Sequence, residues 1–296
     1  MREKKIKIIL AITLTIVLAI TIFFATLLII KSTRIKNQKL DIPNTLAVWW
    51  WDNSLDAKYL DFAEMNGVDE IYYCDTRFDN NTSDFIKSAK AKNMTVYALW
   101  GEKEWIEDRS NFDELMNKYK EYNSSHPTTK FDGVHLDIEP HQFDDFDTYR
   151  NTYLLNLVGF VYNTHKIYSN IEIHYDIPFW FDDEVTYKGI TKKVYEHIID
   201  KSDKTVIMSY RDTAEKIYDI SVDELRYASS LSKNISVSVN MKSSEGDQVS
   251  FQEENKRILY SELSRLDSVI TEDFSVAIHH IESWYNLDHG YRIFDL

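Results

Sequence analysis

The chain has 296 residues, of which 44% are hydrophobic and 28% charged, an ordinary globular composition that excludes a disordered chain. Its net charge is −14; since eight basic residues and one acidic residue lie within positions 1–39, a charge of +7 there leaves −21 for positions 40–296. So acidic a surface repels phosphate groups. The sequence therefore predicts no nucleic-acid partner and favours a neutral ligand over a polyanion.

The chain contains a single cysteine, Cys74, in an apolar run that resembles a strand. An intramolecular disulfide is therefore excluded, and the setting is typical of a buried thiol. The cysteine and histidine residues do not have the spacing of a zinc site, and we expect neither a metal nor a cofactor.

The N-terminal segment is apolar over residues 8–30, where 23 residues without a charge are long enough to span a bilayer. The run ends in bulky leucine and isoleucine residues before Lys31 and lacks the small residues of a signal-peptide cleavage site. We therefore expect an uncleaved transmembrane helix at 8–30 that holds the protein in the lipid bilayer.

Basic residues flank this segment on both sides, so the positive-inside rule does not fix its orientation. A short tail before a first span usually stays inside. This predicts a cytoplasmic tail at 1–7, a linker at 31–44 and an extracytoplasmic domain at 45–296, in a single-pass protein of the cell membrane.

Beyond the linker, short runs of β-branched and aromatic residues alternate with longer amphipathic segments, such as 56–66 and 146–168. Alternation of this kind predicts parallel strands joined by right-handed crossovers. Eight units in about 250 residues predict an α/β protein with a (β/α)8 barrel, a TIM barrel. An open doubly wound sheet would need a glycine-rich loop after the first strand, and residues 49–53 contain no glycine. The predicted strands are 45–52, 68–75, 95–101, 133–140, 171–180, 205–212, 235–242 and 274–284.

The tail ends of these predicted strands are rich in aromatic and acidic residues. In barrels of this kind the active site lies at the carboxyl ends of the strands. Aromatic faces pack against the apolar faces of sugar rings while carboxylates and amides bond the hydroxyls, so this mixture favours a carbohydrate; alternatively, the aromatic residues only cap the core. The candidate substrate-binding residues are Trp51, Asp52, Asp75, Trp100, His135, Asp176, Trp180, Arg211, Asn240, His280, Glu282 and Trp284.

The most specific local signal is the run F-D-G-V-H-L-D-I-E-P at residues 131–140. Because side chains alternate along a strand, His135, Asp137 and Glu139 share one face, and the apolar residues between them face the helices. Ionisable groups that point into a barrel are costly to desolvate, which indicates a functional role rather than a packing role. A structural hydrogen-bond network is the alternative.

This run resembles the fourth strand of the family 18 glycoside hydrolases, the chitinase-like enzymes, which carries D-G-x-D-x-D-x-E. Asp132, Gly133, Asp137 and Glu139 match that pattern, and His135 replaces its middle aspartate. The resemblance implies a glycosidase with Glu139 as the catalytic acid.

A second motif, Met208-Ser209-Tyr210, resembles the family's M-x-Y-D on strand six, with Arg211 in place of the aspartate. The resemblance implies that Tyr210 and Asp137 orient the 2-acetamido group of an N-acetylhexosamine, whose oxygen attacks the anomeric carbon. It also implies that Trp284 lies beneath the reacting sugar. We expect Asp137 to raise the pKa of Glu139 and His135 to hydrogen-bond Asp137.

Other functions fit parts of the pattern. Glu139-Pro140 is also similar to the Asn-Glu-Pro of the large retaining-glycosidase clan, although Ile138 replaces the asparagine and the nearest candidate nucleophile is Glu245, in the loop after the seventh strand. A non-catalytic carbohydrate-binding barrel, a metal-dependent phosphodiesterase with ligands that include His280, and a membrane-tethered scaffold are the remaining alternatives.

The predicted anchor can be tested by its topology. Protease added to intact cells should remove the domain at 45–296 and leave residues 1–7 protected, because an uncleaved span keeps the short tail inside. Mass spectrometry of the retained fragment measures this, and a mature N-terminus that begins after Ile30 would contradict the anchor.

Overall fold

A computed structural model describes residues 44–54, 57–242 and 248–289, with the isolated positions 23 and 42. The chain divides into two compact units, Met1–Lys39 and Leu40–Leu296, and the second contains the elements described below. Apart from position 23, the predicted anchor lies outside the described residues. Within them, no helix is long and apolar enough to cross a membrane.

Eight parallel strands close into a barrel, which confirms the predicted fold class. Each strand lies next to the strands that precede and follow it in the barrel, and the first pairs with the last. The barrel strands are β1 (Leu46–Trp50), β2 (Glu70–Tyr73), β3 (Thr95–Trp100), β4 (Gly133–Leu136), β5 (Ile173–Pro178), β8 (Lys204–Met208), β9 (Asn234–Asn240) and β10 (Ser275–His279).

Helices follow the strands and cover the outside of the barrel, as the alternation predicts. They are α1 (Ala57–Met65), α2 (Asn80–Ala91), α3 (Ser110–Ser125), α4 (Phe146–Ile167), α5 (Val194–Lys201), α6 (Ala214–Ser230), α7 (Lys256–Val269) and α8 (Ile281–His289). Short 3₁₀ turns at Lys103–Ile106 and Pro140–Gln142 follow β3 and β4.

An antiparallel hairpin, β6 (Glu184–Tyr187) and β7 (Ile190–Lys193), lies between β5 and α5 and was not predicted. Lys188 and Gly189 both have positive φ, at 51° and 81°, as the two-residue turn of such a hairpin requires. Lysine at the first turn position is an uncommon choice, so the sequence carries only half of the usual turn signal.

Side chains alternate between two cores, one inside the barrel and one between barrel and helices. On β4, Val134 and Leu136 pack outward, as does Ile138 just beyond it, while His135 faces inward, as predicted. The inner core combines aromatic with aliphatic side chains: Ala47, Trp49, Tyr72, Tyr97, Leu99, Val206 and Ala277. Lys204 of β8 pairs with Glu70 of β2 at 2.6 Å.

The end of the last predicted strand is wrong. Strand β10 ends at His279, and residues 281–284 belong to helix α8. Trp284 is therefore fully buried in the outer layer, where its ring packs on Phe62 of α1 with centroids 4.9 Å apart, and it cannot lie beneath a sugar. Glu282 lies on the same helix and does not line the cavity described below.

Gly101 lets the carboxyl ends of β3 and β4 approach each other. A Cβ at this position would overlap the backbone carbonyl of Asp137, which has no freedom to move because the Asp137 N–H donates to Trp100 O at 2.9 Å. Glycine is required here by close approach of two backbones.

Gly101→Ala should lower the free energy of unfolding by about 1–3 kcal/mol, because the added methyl group forces β4 away from β3. Gly159→Ala is the matched control: its Cβ would meet Tyr187 no closer than 3.4 Å, within helix α4. Alanine there should be neutral or stabilising by up to about 1 kcal/mol. Denaturant unfolding measures both, and equal effects would contradict the close approach at Gly101.

Candidate active site

A cavity of about 400 Å³ opens at the carboxyl end of the barrel. It brings together Trp51, Asp137, Glu139, Tyr210 and His280 from the sequence predictions. Residues 243–247, which include Glu245, come after Lys242 in the sequence and lie outside the described residues. The complete described lining is Trp51, Gly101, Lys103, Asp137, Glu139, Gln142, Met208, Tyr210, Lys242, His279 and His280.

Asp137 and Glu139 follow strand β4 and point into this cavity, as the alternation of the strand predicts. The Glu139 side chain is 22% exposed; Gln142 Nε2 donates a hydrogen bond to its carboxylate, and His141 Nε2 lies 3.6 Å from Oε1. Both partners come from the 3₁₀ turn that Pro140 starts. The turn therefore holds the Glu139 carboxylate at the cavity wall.

Behind Asp137 lies a buried network centred on Asp176 of β5. The Asp176 Oδ2 atom accepts hydrogen bonds from Trp49 Nε1 at 3.1 Å and from His135 Nε2 at 2.8 Å. Tyr72 stacks on the His135 ring with centroids 3.6 Å apart. The expected hydrogen bond from His135 to Asp137 is thus wrong: His135 bonds the carboxylate of the neighbouring strand.

Burial sets the charge state of this network. Burial, and then the nearby Asp176 and Glu139 carboxylates, raise the pKa of Asp137 well above its ordinary value. Burial also raises the pKa of Asp176, against the Trp49 hydrogen bond, which lowers it. Burial and the Lys204 charge lower the pKa of His135 well below its ordinary value, so this imidazole is neutral at physiological pH.

Another part of the lining comes from Trp51 and Tyr210, which follow β1 and β8, and from His279 and His280 at the end of β10. Trp51 Nε1 donates to His279 Nε2 at 3.0 Å, and His279 Nδ1 lies 3.4 Å from Oδ1 of the fully buried Asn240. Tyr210 stacks on His279 with centroids 5.9 Å apart. Burial lowers the pKa of His279 to about 3 and that of His280 to about 4, so both are neutral near pH 7.

Three further predicted residues, Trp180, Arg211 and Asp52, do not line the cavity. Trp180 packs edge-on against His141 at 5.2 Å, and Arg211 lies over Phe179 at 4.9 Å. Asp52 is exposed and accepts hydrogen bonds from the backbone and hydroxyl of Ser54.

Asp75 and Trp100 belong to the outer layer. The Asp75 carboxylate is bound by Arg77 at 3.0 Å and by the Thr82 hydroxyl of α2, and Trp100 Nε1 donates to the Asp75 carbonyl at 2.9 Å. The prediction that these two residues bind substrate is therefore not supported. Asp75 and Trp100 lie at odd offsets from the inward-facing Tyr72 and Leu99, so alternation turns both toward the outer layer.

Several cavity residues were missed by the sequence analysis, among them Gly101, Lys103, Gln142, Lys242 and His279. His279 could have been found by alternation, since it shares a strand face with Ala277 of the inner core. Gly101 and Lys242 lie in loops, and Lys103 and Gln142 lie in short 3₁₀ turns, where the sequence carries no periodicity. Cys74 is half-buried beside the inner core, and burial raises its pKa.

Within the described ranges, no group of three or more histidine, cysteine, aspartate or glutamate side chains is arranged to hold a metal ion.

The barrel is similar to known structures. A GH18 chitinase from Pseudoalteromonas aurantia has a TM-score of 0.55 and 11% sequence identity, over 81% of this chain and 95% of that chain. A chitinase from Bacteroides thetaiotaomicron has a TM-score of 0.45 and 14% identity, over 81% and 90% of the two chains. The spore cortex-lytic enzyme SleL from Bacillus megaterium has a TM-score of 0.48 and 11% identity, over 84% and 75%.

These likenesses concern the fold. No protein-family model and no curated protein matches the sequence. The barrel predicted from the sequence is therefore a fold that this chain shares with a solved GH18 chitinase.

Asp137→Asn should make the protein more stable relative to the wild type as pH rises from about pH 4 to neutral. The folded-state pKa of Asp137 is raised above its ordinary value of 3.8, so the folded state binds this proton more tightly than the unfolded chain does, and wild-type stability is lost as pH rises through that window. Asparagine has no proton to lose. Denaturant unfolding at several pH values measures the difference, and a pH-independent difference would contradict the raised pKa.

Proposed function

We propose that the protein is a glycosidase that hydrolyses a carbohydrate containing N-acetylhexosamine, with Glu139 as general acid and Asp137 as the assisting carboxylate. The observation that carries this proposal is the placement of both carboxylates, two residues apart after one strand, in the cavity at the carboxyl end of the barrel. Tyr210, from the end of β8, lines the same cavity.

The arrangement favours attack by the substrate's own acetamido oxygen. Glycosidases with an enzymic nucleophile place two carboxylates on opposite sides of the scissile bond. Asp137 and Glu139 are the only carboxylates among the described residues that line the cavity, and they approach it from the same strand. Glu139 donates the proton to the leaving oxygen, while Asp137 and Tyr210 orient the acetamido group.

The half of the cavity formed by Trp51, Tyr210, His279 and His280 suits a sugar ring. It offers aromatic faces and uncharged imidazoles beside the carboxylates, and burial keeps both histidines neutral by lowering each pKa. The strongly acidic composition outside residues 1–39 is consistent with a neutral rather than a polyanionic glycan.

Two alternative functions can each be distinguished from this proposal, one by a residue and one by an experimental result. The retaining-clan mechanism needs Glu245 as nucleophile, and this residue follows Lys242 of the cavity wall by three positions. A carbohydrate-binding barrel without activity would bind oligosaccharide and release no reducing ends.

We further propose that the barrel acts at the outer face of the cell membrane, held there by the apolar segment at 8–30. The support is the length and composition of that segment alone. A polymer of the cell envelope is a substrate within reach of such an anchored enzyme.

Glu139→Gln should abolish turnover of N-acetylhexosamine polymers and leave binding nearly intact, because the amide keeps the shape of the acid without its proton. Asp137→Asn should lower the rate by roughly 10²-fold or more, on the scale of general acid–base effects. Mass spectrometry of the products released from chitin, peptidoglycan and related polymers by the full-length chain measures both.

The matched control is Glu184→Gln, an exposed glutamate on hairpin strand β6, which should leave turnover unchanged. Near-normal activity of Glu139→Gln would refute the proposal. A larger loss from Glu245→Gln than from Glu139→Gln would favour the retaining-clan mechanism.

A further inference from the structure

Asp176 lies beside Asp137 on the neighbouring strand. Strands β4 and β5 are parallel, and Leu136 of β4 pairs with Tyr175 of β5. The residues that follow, Asp137 and Asp176, are therefore lateral neighbours, at the strand spacing of about 4.8 Å along the hydrogen-bonding direction. Both side chains face the interior of the barrel. The sequence alternation alone does not reveal this pair, because it does not give the register between strands.

One oxygen of the Asp176 carboxylate is hydrogen-bonded and the other is not. Its Oδ2 atom accepts from Trp49 and His135, and the side chain is 1% exposed. Among the described residues, neither Oδ1 of Asp176 nor Oδ1 of Asp137 has a hydrogen-bond partner, although both atoms are buried. Leaving a buried carboxylate oxygen without a donor is costly, and two ionised neighbours also repel each other.

The surrounding charges do not remove this cost. Glu139 lies on the same strand as Asp137 and adds negative charge. Lys204, from β8, lies near His135 and is paired with Glu70 of β2 at 2.6 Å. The remaining titratable groups that line the cavity are Lys103, Tyr210, Lys242, His279 and His280, and none of them donates to Oδ1 of either aspartate in the described part of the chain.

We propose that Asp137 and Asp176 share one proton between their Oδ1 atoms, with Asp176 as a positioning residue for the catalytic carboxylate Asp137. A single O–H···O bond then satisfies both orphaned oxygens and leaves one negative charge on the pair instead of two. Trp49 and His135 stabilise the Asp176 end, so the proton passes to Asp176 when Asp137 accepts a hydrogen bond from substrate. No covalent bond other than the O–H bond changes.

This inference rests on the proposed function only for the role of Asp137; the shared proton is a property of the free protein. The pKa directions agree with it, since burial and mutual charge raise the pKa of Asp137, and burial raises the pKa of Asp176. His135 takes the place of an aspartate in the motif, and the structure supplies a carboxylate from β5 instead.

Infrared spectroscopy of the full-length chain, labelled with ¹³C in the aspartate side-chain carboxyls only, tests the shared proton directly. The label is needed because burial raises the pKa of Glu224 to about 8, and a protonated glutamate also absorbs near neutral pH. The wild type should show a protonated aspartic acid at neutral pH. Asp176→Asn and Asp137→Asn should each remove that band, whereas Asp267→Asn, an exposed residue of α7, should not.

A pH titration of the band in the wild type needs no substitution and guards against a variant that fails to fold. The protonated signal should persist well above the ordinary aspartate pKa of 3.8. Absence of protonated aspartate at neutral pH, or a band that survives in both Asn variants, would overturn the proposal.

Kinetics separate the role of Asp176 from a purely structural one. Asp176→Asn should lower kcat by about tenfold or more with KM nearly unchanged, since the asparagine still accepts from Trp49 but takes no proton. The infrared result does not depend on turnover. If Glu139→Gln stays active while the band behaves as expected, the proposed function fails and the shared proton stands.

Discussion

The arrangement of the site depends on one constraint: the closed barrel forces every second side chain of each strand into an interior that excludes water. In this chain several of those positions hold ionisable groups, and each such group must find a partner or change its charge state. Glu70 and Lys204 pair with each other at 2.6 Å, and the buried His174 pairs with the partly exposed Glu172 at 3.0 Å, both near the amino ends of the strands. Toward the cavity, Oδ1 of Asp137 and Oδ1 of Asp176 have no hydrogen-bond partner among the described residues.

Buried carboxylates with incomplete hydrogen bonding are candidates for chemical roles. Asp176 receives two donors on one oxygen and none on the other, and Asp137 has one orphaned oxygen among the described residues. A protein selected for stability alone would replace such groups by apolar or fully bonded ones. Their retention beside Glu139, in a cavity walled by aromatic rings and neutral imidazoles, connects the polar interior of the barrel to the proposed acid catalysis.

The sequence was informative where a local pattern decides the structure. The eight strand runs predicted the barrel because alternation of strands and helices leaves few topologies, and the period of two on residues 133–139 placed Asp137 and Glu139 on the inner face. Prediction from the sequence failed where contacts with distant parts of the chain determine the structure. The partner of His135 depends on the register between β4 and β5, and Trp284 belongs to a helix because β10 ends at His279.

In the proposed mechanism, the substrate's acetamido oxygen attacks the anomeric carbon while Glu139 protonates the leaving group. NMR of the first products released from a defined N-acetylhexosamine oligomer measures this most directly, through the anomeric configuration before mutarotation. Substrate-assisted attack has two displacements and predicts retention, together with loss of hydrolysis when a hydroxyl replaces the 2-acetamido group. Inversion of configuration, or equal hydrolysis of the substrate that lacks the acetamido group, would contradict the account.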